Sequence, residues 1–228
     1  MKRISFIHFS LLISAALLTG CGELFEVEEV PEQTVVADVE LGRRSVDLMT
    51  GDSYELTATI TPDSLISKGI YWEVADTNVV RIVDGTITAK APGETTVKVT
   101  ALAGMKRDSC RVRVYHWNFD PYQFRYDMVI YANVTVGGQP AEAGTMVAAF
   151  GHSETGAPEM RGIGVMRQSA ARQYMQLRLY SNEAYGDELT FRCYDRRRLL
   201  MVDGNTSVSF EESATLGTLS MLYNIAFD

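Results

Sequence analysis

From residue 54 to residue 60 the chain alternates: Tyr54, Leu56, Ala58 and Ile60 are separated by the polar Glu55, Thr57 and Thr59. A period of two is the mark of a half-buried strand, whose successive side chains face opposite sides of a sheet. The same rule predicts strands over 46–49, 70–74, 79–83, 86–89, 95–101 and 110–114. Turn chemistry separates them, with Thr61-Pro62-Asp63, the hairpin pair Asp84-Gly85, and Pro92-Gly93. Short strands at this spacing, with turns between, describe a sandwich. Trp72 is large enough to anchor its core.

A second series begins after His116. Met128, Ile130, Ala132, Val134 and Val136 keep one phase until Gly137-Gly138. Residues 145–150 are more continuously apolar, a loop is expected over 151–159, and further strands are predicted over 161–167, 175–179 and 189–193. Asp203-Gly204-Asn205 reads as a turn between strands at 199–202 and 207–210, and 221–227 closes the series. Nowhere do apolar residues recur at i, i+3, i+4 and i+7 over a helical length. The expected class is therefore all-β, two β-sandwich domains in tandem over 43–115 and 116–228.

The head of the chain has a different pattern. Lys2 and Arg3 precede an almost unbroken apolar run over 4–18, which ends in Leu18-Thr19-Gly20-Cys21. A charged start, an apolar stretch and a small-residue boundary read as a cleaved signal over 1–20. The run is shorter than the roughly 20 residues a membrane span needs. Leu18 to Cys21 resembles the lipobox of bacterial lipoproteins. That resemblance implies cleavage before Cys21, lipidation of its thiol and amino group with palmitate-type chains, and anchoring to the outer membrane. Two or more acyl chains hold stably, at about 0.8 kcal/mol per buried methylene. Residues 21–42, with Glu23, Glu26, Glu28, Glu29 and Pro31, read as an acidic tether. Acidic residues directly after a lipidated cysteine also resemble the surface-export signal of lipoproteins in some gut-dwelling diderm bacteria. A plain solvated linker accounts for them equally well.

Two further resemblances rest on the strand segments. Gly51 with Tyr54-Glu55-Leu56-Thr57-Ala58, Trp72, Asp76-Thr77-Asn78-Val79-Val80, Gly85-Thr86-Ile87-Thr88-Ala89 and Pro92-Gly93-Glu94-Thr95-Thr96-Val97 resemble the group 2 bacterial Ig-like domain. That family implies spacers and adhesive modules of surface proteins, with no shared catalytic residue. Val74-Ala75 departs from the Ser-Ser pair frequent there. Ala148-Ala149-Phe150, Met160 to Gly164 and Thr190 to Asp195 resemble, more loosely, a β-sandwich module at the C-termini of secreted and surface proteins of the same bacteria. No activity comes with that module.

Composition narrows the partners. The formal charge is −8, and without Lys2 and Arg3 the 21 basic residues become 19 against 29 acidic ones, or −10. A negative chain without basic clusters of functional length argues against nucleic acid as a partner. Beside Cys21 stand only Cys110 and Cys193, with no CxxC or Cys/His spacing for zinc. They are read as buried thiols, and a disulfide between them is the other reading.

No constellation of catalytic residues emerges. His116 and His152 are isolated, whereas a nucleophile needs a base beside it and zinc needs clustered ligands. Glu154, Glu159, Glu183, Asp187, Glu188 and Asp195 supply carboxylates, which a glycosidase would need as a flanking pair. No Asp-x-Asp-x-Asp run marks calcium. No metal or cofactor is expected. Tyr115, Trp117, Phe119, Tyr122, Phe124 and Tyr126 concentrate aromatic surface near the junction and the start of the second domain, either as an inter-domain core or as a platform for sugar rings or a partner. Trp117, Tyr122 and Arg161 are the candidate ligand-binding residues. Arg196-Arg197-Arg198 reads as the solvated face of a hairpin.

The sequence thus points to a non-enzymatic cell-envelope lipoprotein, held on the membrane through Cys21 and carrying a surface module for adhesion or partner binding. The alternative is a carbohydrate-binding accessory of a glycan-uptake system, with a surface protein or a glycan as the respective partner.

Overall fold

The computed structural model describes residues 37–168 and 172–228. The signal segment, Cys21 and most of the tether lie outside the described residues, as do residues 169–171.

The first sandwich is built from β1 (Asp38–Leu41), β2 (Ser45–Met49), β3 (Ser53–Glu55), β4 (Ala58–Thr61), β5 (Ile70–Val74), β6 (Val80–Val83), β7 (Thr86–Ala89), β8 (Gly93–Ala101) and β9 (Arg107–Tyr115). One sheet runs β2-β9-β8-β5, the other β3-β7-β6, and β1 pairs with β4. Most strands place alternate residues inward, and Leu48, Leu56, Ile87, Val97, Val99, Cys110 and Val112 fill the core. Trp72 packs against this core but stays half-buried, so Leu48, Leu56 and Ile87 do the central filling. Asp84 and Gly85 both have positive φ, 48° and 82°, the two-residue hairpin turn that joins β6 to β7.

Two expectations need correction here. Residues 38–41 belong to β1 rather than to the tether: Asp38 to Leu41 pair antiparallel with Ala58 to Thr61, and Ala37 is already buried. The acidic residues Asp38 and Glu40 disguise the strand because they alternate outward. The single strand expected over 54–60 is two, β3 in one sheet and β4 in another, and the chain crosses between them at Leu56 and Thr57. Gly42 permits the crossing, because a Cβ there would meet the Thr57 hydroxyl oxygen at 2.4 Å.

The second sandwich comprises β10 (Tyr126–Val136), β11 (Gln139–Pro140), β12 (Met146–His152), β13 (Pro158–Val165), β14 (Arg167–Gln168), β15 (Gln173–Ser181), β16 (Tyr185–Asp195), β17 (Leu200–Glu211), β18 (Thr215–Leu216) and β19 (Tyr223–Phe227). β13-β12-β16-β17 form one sheet. The other is centred on β10, which pairs antiparallel with β15 on one side and parallel with β18 and β19 on the other. Ile130, Ala132, Val134, Leu177, Leu179, Phe191 and Phe227 lie between the sheets. The turn expected at Asp203-Gly204-Asn205 is instead part of the continuous strand β17, with an irregular register opposite Thr190 and Arg192. Gly204 lets the strand pass, since a Cβ there would sit 2.9 Å from the Phe227 ring and 3.0 Å from the Phe191 carbonyl.

The tip of the β16–β17 hairpin joins the sandwiches. β2 is a sheet edge, and an open edge needs cover. Leu199 supplies it: its carbonyl accepts from Asp47 N at 2.8 Å, and its side chain packs against the first core. Asp47, 1% exposed, accepts from Met201 N at 2.7 Å and binds the Arg113 fork at 2.7 and 2.9 Å. Tyr194 donates its hydroxyl to Asp52 at 2.9 Å, and Arg196 reaches the same carboxylate at 2.6 Å. Arg197 pairs with Glu142, and Arg198 lies 3.5 Å from Asp195. The hairpin tip is thus the latch between the sandwiches. Its arginine run is exposed, as expected of a solvated face, and Arg196 alone of the three side chains reaches across to the first sandwich.

Candidate functional site

β16 measures the second sandwich. Its C-terminal end, at Tyr194 and Asp195, lies at the latch, and its N-terminal end, at Tyr185, begins about 33 Å away at about 3.3 Å per residue. The linker 116–125 delivers the chain to Tyr126, which pairs with Ser181 at the far end. β10 then returns toward the latch, where the Arg198 guanidinium approaches the Val136 carbonyl at 3.5 Å.

At the far end the β12–β13 loop and the β15–β16 turn enclose a cleft of about 550 Å³, lined by His152, Ser153, Glu154, Thr155, Glu159, Arg161, Ser181, Asn182, Glu183, Tyr185, Gly186 and Asp187. Its floor is Arg161, 5% exposed on β13. Nη2 of Arg161 donates to the His152 carbonyl at 2.6 Å and lies 3.3 Å from both Glu159 and Asp187. The guanidinium stacks over the Phe124 ring at 5.0 Å, a cation–π contact shielded from water. Nε and Nη1 have no partner. The turn is fixed as firmly: Ser181 Oγ donates to Asp187 at 2.9 Å and accepts from Glu183 N at 3.0 Å. Gly151 keeps the floor thin, because a Cβ there would meet Leu189 at 2.9 Å and both Arg161 Nε and Asp187 at 3.0 Å. Tyr185 stands on the rim, 69% exposed.

The structure places the three candidate residues apart in role. Arg161 is in the cleft as its floor. Tyr122 is 95% exposed on a short 3₁₀ turn over Pro121–Gln123, whose Asp120 cap accepts from Tyr122 N at 3.0 Å. Trp117 is half-buried in the linker. Of the aromatic residues expected near the junction and the start of the second domain, Phe119 and Phe124 pack on the second sandwich. Phe119 stacks on Phe124 at 5.8 Å, and both meet Tyr180 of β15, at 5.3 and 6.4 Å. The reason is the linker, which carries these residues past the junction to the far end. Asp187, Ser181 and Tyr185 carried no motif. The only signal was the clustering of Glu and Asp in two loops, which strand pairing brings to one end.

Among the described residues no group of three or more His, Cys, Asp or Glu is placed to hold a metal ion. Cys110 and Cys193 are free and buried, so the disulfide reading fails. Burial pushes the Cys110 thiol up to about 11 and Cys193 up to about 12. Thiols held protonated in this way are poor nucleophiles.

Residues 35–112 match the bacterial Ig-like domain (group 2) family. The first sandwich is therefore an Ig-like domain, as its sequence pattern implied. An 81-residue stretch is 32% identical to an α-L-arabinofuranosidase of Bifidobacterium longum, covering 35% of this chain but 8% of that enzyme. An uncharacterized protein of Bacillus cereus is 26% identical over 100 residues, which is 42% of this chain and 76% of that protein. Among solved structures, domains 4–9 of the surface layer protein SbsC align over 81% of this chain and 32% of theirs, with 10% identity and a TM-score of 0.32. The Bacteroides ovatus mixed-linkage glucan utilization protein SGBP-B, solved with a mixed-linkage heptasaccharide, aligns over 78% of this chain and 47% of its own at 10% identity and a TM-score of 0.25. Nothing about a ligand of this chain follows from these likenesses.

Proposed function

We propose that this chain is a non-enzymatic, lipid-anchored protein of the cell envelope, carried on the outer membrane through Cys21, that uses its Ig-like domain as a support for a distal adhesion or partner-binding domain. The head-to-tail path of the chain carries this reading. The described chain enters the Ig-like domain at Ala37, whose N–H donates to the Ala103 carbonyl, near the start of β9. It leaves at Tyr115, the other end of that strand, about 26 Å on. The latch then sets the second sandwich with its cleft at the end away from the Ig-like domain, where a partner has access. Buried, protonated thiols and two exposed histidines support a non-catalytic role. A second reading, a carbohydrate-binding accessory of a glycan-uptake system, is favoured by the exposed Tyr185 ring beside fixed hydrogen-bonding groups.

The anchor is tested in the native host. Wild-type protein is expected to incorporate labelled palmitate and sediment with membranes, and a Cys21→Ser variant to do neither. Continued labelling of Cys21→Ser contradicts the anchor.

A further inference from the structure

We propose that the cleft between the β12–β13 loop and the β15–β16 turn binds a neutral oligosaccharide. The inference rests on reading the second sandwich as the binding end of the molecule, and it names the ligand class of that end.

Size comes first. A volume of about 550 Å³ lies within the range of small-molecule sites, at about 300–1,000 Å³, and accommodates a short run of sugar rings. The polar groups are then fixed before any ligand arrives. Asp187 is tied to Ser181 and Arg161, and Glu159 to Arg161, so two carboxylates face the cleft in set positions. Such preorganisation lowers the ordering cost of binding. Arg161 also keeps two nitrogens unpartnered beneath the floor, a rarity in a folded protein. The fixed carboxylate acceptors above it suit hydroxyl groups, which donate to them. Tyr185 adds an exposed ring at the rim on which the C–H face of a pyranose can lie.

Charge narrows the competitors. Glu154, Glu159, Glu183 and Asp187 outnumber Arg161, so an acidic glycan or phosphate meets net repulsion. The lining is too polar for an apolar ligand. The same carboxylate excess would draw a cationic peptide; the exposed Tyr185 ring beside fixed acceptors favours an uncharged, hydroxyl-rich chain, and an oligolysine probe decides between the two.

The test uses the full chain purified in detergent, titrated calorimetrically with cello-, malto-, xylo-, manno- and arabino-oligosaccharides of four to six units. Oligogalacturonate and an oligolysine peptide serve as charged probes. At least one neutral series is expected to bind, and neither charged probe. Tyr185→Ala is expected to weaken that binding at least tenfold, with Tyr185→Phe within about threefold of wild type. Tyr71→Ala, which removes an exposed ring on β5 of the Ig-like domain, is expected to leave it unchanged. Circular dichroism and the melting profile check that each variant is folded; the exposed Tyr185 can be removed without opening the core. Failure of every neutral series, binding unmoved by Tyr185→Ala, or preferential binding of oligolysine each overturns the proposal. Because binding is read on purified protein, those results are separate from whether Cys21 anchors the chain.

Discussion

Cys110 and Cys193 show how a residue's environment sets its chemistry. Each is wholly enclosed in a sandwich core, one per domain, and desolvation of the thiolate raises both above the ordinary thiol value of 9.0. Tyr194 is raised in the same direction by burial, helped by its bond to Asp52. A group whose folded value is raised contributes stability that is full below the unfolded value and lost as pH climbs through the folded one. Urea midpoints are therefore expected to hold from pH 7 to about 9. They should then fall between 9 and about 11, by on the order of 2 kcal/mol for each thiol. Cys193→Ala should flatten part of that fall; a flat profile for the wild type to pH 11 would contradict the assignment. Burial of both cysteines was readable from their place in alternating strands. The positions of Arg161 and Asp187 were not, because no local pattern says which loops meet.

At the scale of elements, sequence periodicity succeeded where one face of a strand is buried and the other wet, as in β10, β15 and β9. It failed where other rules govern. β1 hid behind its acidic neighbours, β3 and β4 shared one unbroken alternation across two sheets, and β17 carried a turn-like Asp-Gly-Asn inside a strand because Gly204 is needed for close packing on Phe227. The arginine run is the exposed hairpin face its composition suggested, but its partners Asp52 and Glu142 were not legible, being 144 and 55 residues away in sequence. The latch at that hairpin tip carries an energetic expectation. Removing the Asp47 carboxylate orphans Met201 N and the Arg113 fork. Since Arg113 is partly exposed, Asp47→Ala is expected to cost about 2–3 kcal/mol rather than the full cost of a broken buried pair. Leu199→Ala should add to it by withdrawing a side chain from the Ig-like core. Calorimetry is expected to show one cooperative transition for the wild type and two for the double variant. Two transitions already in the wild type would mean the sandwiches are uncoupled.

At the scale of the molecule, the all-β class, the tandem sandwiches and the Ig-like character of the first were legible in the sequence, since alternation and turn residues carry them directly. The direction of the second sandwich was not. It follows from the Arg196–Asp52 and Asp47–Met201 contacts, which turn one end of β16 toward the Ig-like domain and leave the other, with Tyr185, facing away. Display of that far end outside the cell is the central claim, and one labelling measurement addresses it directly. A Tyr185→Cys variant of the full chain is exposed, on intact native cells, to a membrane-impermeant maleimide; the buried native thiols add little background. Labelling of whole cells is expected for Tyr185→Cys and not for the wild type, and it should disappear from the cell pellet when Cys21→Ser is combined with it. Labelling that appears only after the envelope is broken would contradict surface display.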